Sequence, residues 1–469
     1  MKAKELEEKL TYKRKSAWVG DKEEIMAYSE GYKVFLGDNK TERECVKSAV
    51  ELARAKGFKN IKEVLKEKKR LQPGDKVYKE HHGKCLTLFV IGKQCICKGM
   101  NVTASHIDSP RLDVKQVPLY EEGGVAALKT HYYGGIKKYQ WTALPLAMHG
   151  ILIDREGKKH TLSIGEAPED PVFFISELLI HIAGDQMAKS ASAAVSAEQL
   201  NVVVGHIPFE EEDAKERIKL NTLRILNEQF SVTEEDFLSA EIEFVPAGKP
   251  RDVGFDRGMI TAYGHDDKVC AYPALTALLE KETPERTCVC VLADKEEVGS
   301  VGSTGLNGRF FENAVSEVVS CLKDNYNDVM TKSAMENSYV LSMDVNSCID
   351  ANYPEAFEKL NSAVAGYGTI LTKYTGSRGK SGSSDANGEY LYKLRTLFNE
   401  AKVPYQTGEI GKTDLGGGGT VALYLAAYGA NVVDLGVGVL SMHAPYELIS
   451  KADLYATYKA ADAFYGINE

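Results

Sequence analysis

Glu296 and Glu297 stand side by side where the apolar run of "VLADKEEVGS" (291–300) ends. Other side chains able to hold a cation are scattered along the chain. His106 and Asp108 lie in "SHIDSP", Asp266 and Asp267 in "HDDKVC", Asp344 in "SMDVN" and His443 in "SMHAPYE". Imidazole nitrogens with carboxylate oxygens are the donor set of a hard or borderline divalent metal such as zinc. Two such metals held roughly 3.5–4 Å apart can activate a water and polarise a carbonyl. A carboxylate shared between them lowers their repulsion, and a further carboxylate must take the water's proton. Adjacent glutamates can supply a ligand and a base together only where the backbone leaves strand geometry, because within a strand they face opposite sides. Gly299 and Gly302 permit that departure. Taken singly, these motifs are more often a solvated loop, a helix cap or a buried histidine; their combination and order point to a metal centre.

Positioning such a set requires elements that converge. From about residue 255 the chain alternates: a turn with "YGHDDKVCAYPALTALLE", the strand "TCVCVLA", a helix, the strand "SYVLSMDVN", a glycine-serine-rich loop (375–389), a helix, the apolar "DLGVGVL" and a last helix. Strand–helix alternation implies an α/β sheet with a substantial parallel part. His106, Glu297, Asp344 and His443 fall at the C-terminal ends of strands, the edge where open α/β sheets bind ligands. Residues 1 to about 75 read as charged and helical, and 84–110 as two strands joined by "GKQ". From 111 to 251 the texture changes to apolar runs broken by glycine and charged turns, with one helix within 209–230.

Composition bounds the function. The 469 residues suffice for two or more domains, and 43% hydrophobic and 26% charged residues are ordinary for a soluble globular chain. A net charge of −10 with dispersed basic residues argues against nucleic acid or an anionic membrane as partner. The start, "MKAKELEEKL", lacks the apolar core of a secretory signal, and no run approaches the roughly 20 apolar residues of a membrane span. Nine cysteines, an odd number, suit a reducing cytoplasm. Cys95/Cys97 and Cys288/Cys290 sit in apolar runs without the turn of a zinc motif, and read as small buried strand residues. "DLGGGGT" lacks the Lys-Ser/Thr of a phosphate-binding loop. "GKSGSSDANGE" lacks the Gly-x-Ser-x-Gly elbow of a serine nucleophile.

The set "SHIDSP" (105–110), "HDDKVC" (265–270), "KEEVGS" (295–300), "SMDVN" (342–346), "GGGGT" (416–420) and "DLGVGVLSMHAPYE" (434–447) resembles the aspartyl aminopeptidase and aminopeptidase I family of di-metal peptidases, in the family's order and over essentially the whole chain. The resemblance implies an α/β fold, a mixed-sheet catalytic domain flanked by helices (1–110 and 252–469), with an inserted β-rich dimerisation domain (111–251). It implies two divalent metals per subunit, zinc first, with cobalt or manganese accepted. His106 and Asp344 would hold one, Glu297 and His443 the other, and Asp266 would bridge them, followed by a cis peptide bond. Glu296 would be the general base and Asp108 the carboxylate orienting His106. Similar enzymes assemble dimers into a tetrahedral dodecamer, and a histidine of the partner's insert reaches the active site. His181 in "ELLIHIAGD" is the match, with a buried helix histidine as the alternative. Two departures stand out: Asp267 occupies a position usually held by Asn, and the loop 375–389, where similar enzymes meet the substrate's first side chain, matches the animal enzymes poorly.

The expected reaction is hydrolytic removal of the N-terminal residue from peptides with a free N-terminus. Arg378, Lys380 and Lys412 are candidates to receive an acidic first residue, against the alternative of surface charges; a neutral preference stays open. Rival readings are another di-metal amidohydrolase, a deacylase or carboxypeptidase, and a non-catalytic assembly or cargo-binding shell.

Overall fold

The computed structural model describes residues 2–20, 22–382 and 384–468. Its centre is a mixed sheet of nine strands in the order Lys59–Asn60, Lys76–His81, Cys85–Val90, Thr287–Ala293, Met100–His106, Tyr339–Ser342, Asn431–Gly436, Thr369–Thr372 and Tyr405–Thr407. The four middle strands, from Thr287–Ala293 to Asn431–Gly436, run parallel to one another. Their burial on both faces follows from near-continuous apolar composition, as parallel strands require. Along Thr287–Ala293 the period of two sends Cys288, Cys290 and Leu292 into one core and Val289, Val291 and Ala293 into the other. Helices Lys22–Asp38, Glu42–Ala55, His265–Leu279, Gly388–Glu400 and Lys451–Phe464 cover the first face. Ile61–Lys66, Phe310–Leu322, Asp328–Glu336 and Ala422–Ala426 cover the second.

Cys288 and Cys290 are thus small buried strand residues, but Cys95 and Cys97 are not. They are half-buried on the tight turn Ile96–Lys98. The strands Cys85–Val90 and Met100–His106 are not neighbours either: Thr287–Ala293 lies between them, antiparallel to the first and parallel to the second. Residues 91–99 must therefore cross the end of that middle strand. Gly92 makes this close passage, since a Cβ there would sit 2.4 Å from the Arg286 and Thr287 backbone. The apolar letters around the cysteines resemble a strand, whereas the crossing makes them a turn.

Seven strands between Arg111 and Pro246 form a second, wholly antiparallel sheet with its own core around Trp141 and Phe244. Glu241–Pro246 pairs both with Arg111–Glu122 and with Pro145–Ile153, closing six of the strands into a ring. The first turn of helix Glu42–Ala55, opened by a capping box between Thr41 and Glu44, joins this sheet to the central body. Three consecutive residues reach across: Glu42 meets Arg111 at 3.2 Å, Arg43 meets Glu241 at 2.9 Å, and Glu44 meets His149 at 2.8 Å. A five-stranded sheet, Arg251–Val253, Met259–Ala262, Glu447–Ser450, Gly438–Leu440 and Asn346–Ser347, lies beyond the parallel strands. No helix among the described residues is long and apolar enough to cross a membrane.

Candidate metal centre

Strand ends carry the site. Met100–His106 ends on buried His106, opposite Ala293 at the end of the neighbouring strand. Immediately beyond, Lys295 takes φ 67° and Gly299 φ 87°, so Glu296–Val298 form a single tight turn and not a strand. That turn lets Glu296 and Glu297 point to the same side, as a ligand-and-base pair needs. Asp344 lies two residues past Tyr339–Ser342. Asp266 and Asp267 open the helix His265–Leu279 with non-helical backbone, and the peptide bond between them is cis. His443, at φ 63°, sits on the loop joining Gly438–Leu440 to Glu447–Ser450.

These groups meet around Asp266. Its Oδ1 lies 3.2 Å from His106 Nε2 and its Oδ2 lies 3.3 Å from His443 Nε2. His106 Nε2 is also 3.8 Å from Asp344 Oδ1 and 4.0 Å from Glu296 Oε2, and His443 Nε2 is 3.5 Å from Glu297 Oε2. Two triads overlap in the same cluster: the ligand atoms of His106, Asp266 and Glu297, and those of His106, Asp267 and Asp344, lie within 4.8 Å of one another. The Nδ1 of His443 faces the Gly135 carbonyl at 2.8 Å, and that of His106 faces the Asp108 carbonyl at 3.1 Å. A carbonyl only accepts, so both Nδ1 atoms carry the proton and both Nε2 lone pairs are left for a metal.

Tyr133, Ser109 and Glu447 were given no role from the sequence, and Asp108 only that of partner to His106. Asp108 Oδ1 accepts the Glu296 N–H at 3.1 Å and its Oδ2 accepts the Glu297 N–H at 3.2 Å, so Asp108 holds the glutamate turn as well as His106. Tyr133, from the seven-stranded sheet, donates its hydroxyl to the same Oδ2 at 2.7 Å, with Arg111 4.0 Å from its ring centre. Glu447 accepts from the backbone of both Asp266 and His443. Ser109 donates to the Asp266 carbonyl at 2.7 Å. Glu447 stood in a quoted motif, "SMHAPYE", but its contact with Asp266 spans 181 residues, beyond any local pattern.

The donor set fits divalent metals of the zinc type. Glu297 Oε1 is buried without a hydrogen-bond partner, and the buried carboxylate of Asp267 faces the Cys270 thiol and the His106 main chain. A carboxylate in that state must be either protonated or compensated by a cation. Asp267, the unusual residue of the pair, therefore adds a carboxylate to the cluster. Burial, then repulsion from neighbouring carboxylates, pushes Glu297, Asp267 and Asp344 well above the usual carboxylate range. Burial also pushes Glu296 up to about 7, with Asp108 and Asp266 acting the same way and His106 and His443 opposing. Burial alone would lower the imidazoles; hydrogen bonds to Asp108 and Asp266 nevertheless raise His106, and His443 is raised to about 10 by Asp266 and Glu297. Asp266 is held low against its own burial by the two histidines. Protons thus balance charge that bound cations would otherwise balance.

Arg378 and Lys380 share a pocket of about 330 Å³ with Tyr374, Glu409 and the glycines 416 and 417. None of the metal-competent residues lines it. Lys380 is already paired with Asp385 at 3.0 Å and lies 3.8 Å from the Tyr374 ring centre. Lys412 is exposed on the adjoining loop and does not line the pocket. His181 is neither helical in the α sense nor buried: it is exposed on a short 3-10 turn of the seven-stranded unit, between exposed Ile180 and Ile182.

A sequence model described as "Aminopeptidase I zinc metalloprotease (M18)" matches residues 35–465. The "Probable M18 family aminopeptidase 1" of Clostridium acetobutylicum is 48% identical over 454 residues, covering 96% of this chain and 97% of that protein. The crystal structure of an M18-family aminopeptidase from Thermotoga maritima superimposes with a TM-score of 0.92 at 41% identity, covering 97% of this chain and 99% of that one. The mApe1 dodecamer of S. cerevisiae shares the fold at a TM-score of 0.73 and 22% identity, covering 93% of this chain and 96% of that one.

Proposed function

This chain belongs to the M18 family of aminopeptidase I zinc metalloproteases, and on that premise we propose that it cleaves N-terminal residues from peptides with two metals and Glu296 as general base. One observation carries the reading: the two oxygens of Asp266 are divided between His106 and His443, each with a further carboxylate beside it. That arrangement suits Asp266 as the bridge, His106 and Asp344 as ligands on one side, and Glu297 and His443 on the other. Metals bound there would supply Lewis acidity, polarising the scissile carbonyl and easing deprotonation of a water.

The chain's own residues then have distinct tasks. Glu296, 19% exposed at its side chain and 4.0 Å from His106 Nε2, borders the cluster without lying at its centre. It takes a proton from the attacking water as the new C–O bond forms. It returns that proton to the departing amine as the C–N bond breaks. Asp108 and Tyr133 keep the glutamate turn in place. Carboxylates beside the centre would hold the substrate's α-ammonium group, which would make the enzyme an exopeptidase.

Arg378 and Lys380 favour an acidic first residue only if their pocket joins the cleft when substrate binds; a neutral preference is the second reading, favoured by the Lys380–Asp385 pair. The seven-stranded unit, residues 111–251, is proposed as the dimerisation insert. Its exposed Leu178, Leu179, Ile180, Ile182 and Met187 support burial against a second copy and the delivery of His181 in trans. Dimers of this kind would build a dodecamer like that of the yeast relative. Nine free thiols support a reducing, cytoplasmic setting.

The test is chemical. Blocking the α-amino group of a peptide by acetylation should abolish cleavage. Continued release of the acyl group or of the C-terminal residue would favour a deacylase or carboxypeptidase instead.

A further inference from the structure

Glu447 is the first residue of Glu447–Ser450 and is 2% exposed. Its strand pairs with Met259–Ala262, register Ala262 to Glu447, so it faces the segment that leads into Asp266. Its Oε1 accepts the His443 N–H at 2.7 Å and its Oε2 accepts the Asp266 N–H at 3.0 Å. One rigid, planar group therefore ties together two backbone segments that are far apart in sequence. Both need it, because neither amide lies in regular structure. His443 sits at φ 63° on a loop, and Asp266 is non-helical within its helix start.

Across the cluster, Asp108 does the same for Glu296 and Glu297. The parallel is chemical: in each case a buried carboxylate spends both oxygens on the main chain of two functional residues and so fixes where their side chains begin. We propose that Glu447 is a positioning residue for the metal site that contains His443, setting the separation of Asp266 and His443 so that their side chains, now 3.3 Å apart, converge on one cation. This inference rests on the ligand assignment proposed above.

Substitution chemistry makes it testable. In Glu447→Gln one end of the side chain becomes a donor, which meets an N–H donor and opens one of the two contacts. Glu447→Asp keeps two acceptors on a shorter reach. Metal-free full-length chain is titrated with Zn²⁺ by calorimetry and with Co²⁺ by visible absorption, beside His443→Ala and Asp344→Ala. The expected result for Glu447→Gln is one site weakened about 10–100-fold, the range for lost outer-shell partners of a metal ligand. The other site, coupled only through the bridging Asp266, is weakened less, the Co²⁺ spectrum changes as in His443→Ala, and kcat falls with little change in KM. Glu447→Asp should recover part of the loss. Two tight sites with a wild-type spectrum in Glu447→Gln would overturn the inference, even with a lowered melting temperature, since a purely structural carboxylate would produce that. If Glu447→Gln does not fold, Glu447→Asp is judged by the same titration: a wild-type affinity and spectrum overturn the inference, and a selectively weakened site supports it. The ligand assignment fails separately if His443→Ala and Asp344→Ala each keep two tight metals.

Discussion

The carboxylate of Asp108 accepts the backbone N–H of Glu296 at 3.1 Å across 188 residues of sequence. A residue that the family resemblance marks as the partner of a histidine is thereby also the anchor of the proposed base. The same carboxylate accepts the next N–H, that of Glu297, so the proposed base and a proposed ligand share one support.

Glu296→Gln removes the base but not the backbone contact to Asp108. Metal content by elemental analysis should stay near wild type, while kcat should fall about 10²–10⁴-fold, the usual worth of a positioned acid–base group. A variant that kept most of its turnover would exclude Glu296 as the base.

Asp108→Asn leaves only one acceptor oxygen for two N–H groups and a tyrosine hydroxyl. It should lower metal affinity about 10–100-fold and reduce kcat. Tyr133→Phe, which removes only the hydroxyl donor, should show a smaller loss of the same kind. Equal and unaltered metal binding in both variants would contradict the role given to Asp108.

Metal binding should strengthen as pH rises. Glu297, Asp267 and Asp344 are pushed up by burial and repulsion, and His106 and His443 by their carboxylate partners, so protons compete with the cation for these groups. Chelation should remove activity, and zinc, cobalt or manganese should restore it. Calorimetry in buffers of different ionisation enthalpy should detect protons released on binding; zero release would contradict the shifts.

His149 joins the seven-stranded unit to the central body through Glu44 at 2.8 Å, and within its own unit it faces Glu166 at 3.2 Å. Burial would lower its pKa, but these carboxylates raise it to about 9. A raised folded-state pKa means stabilisation that is complete below the unfolded value of about 6.5 and is lost as pH climbs towards 9. The melting-temperature gap between wild type and His149→Gln should therefore be widest near pH 6 and narrow by pH 9. A gap independent of pH would show that His149 acts by packing alone.

Residue types and their order were enough to mark the metal-competent set, because zinc-type chemistry admits few donor kinds and strand ends are written in apolar runs. They were enough, too, for the mixed α/β body and for the change of texture near 111. They did not show that residues 91–99 cross a strand end, since the apolar letters of "CICK" fit a strand as well as a buried turn, and long-range strand order decides between them. Nor did they show Glu447, Tyr133 or the Gly135 carbonyl as supports, because each reaches its partner over a long separation and in irregular backbone. Which oxygen faces which imidazole is likewise a matter of tertiary structure: the sheet brings His106 and Asp344 side by side, and only the loop between two short strands carries His443 to the other face of Asp266. Local composition selects the donors; hydrogen bonds between distant main-chain segments set the geometry in which they can act together.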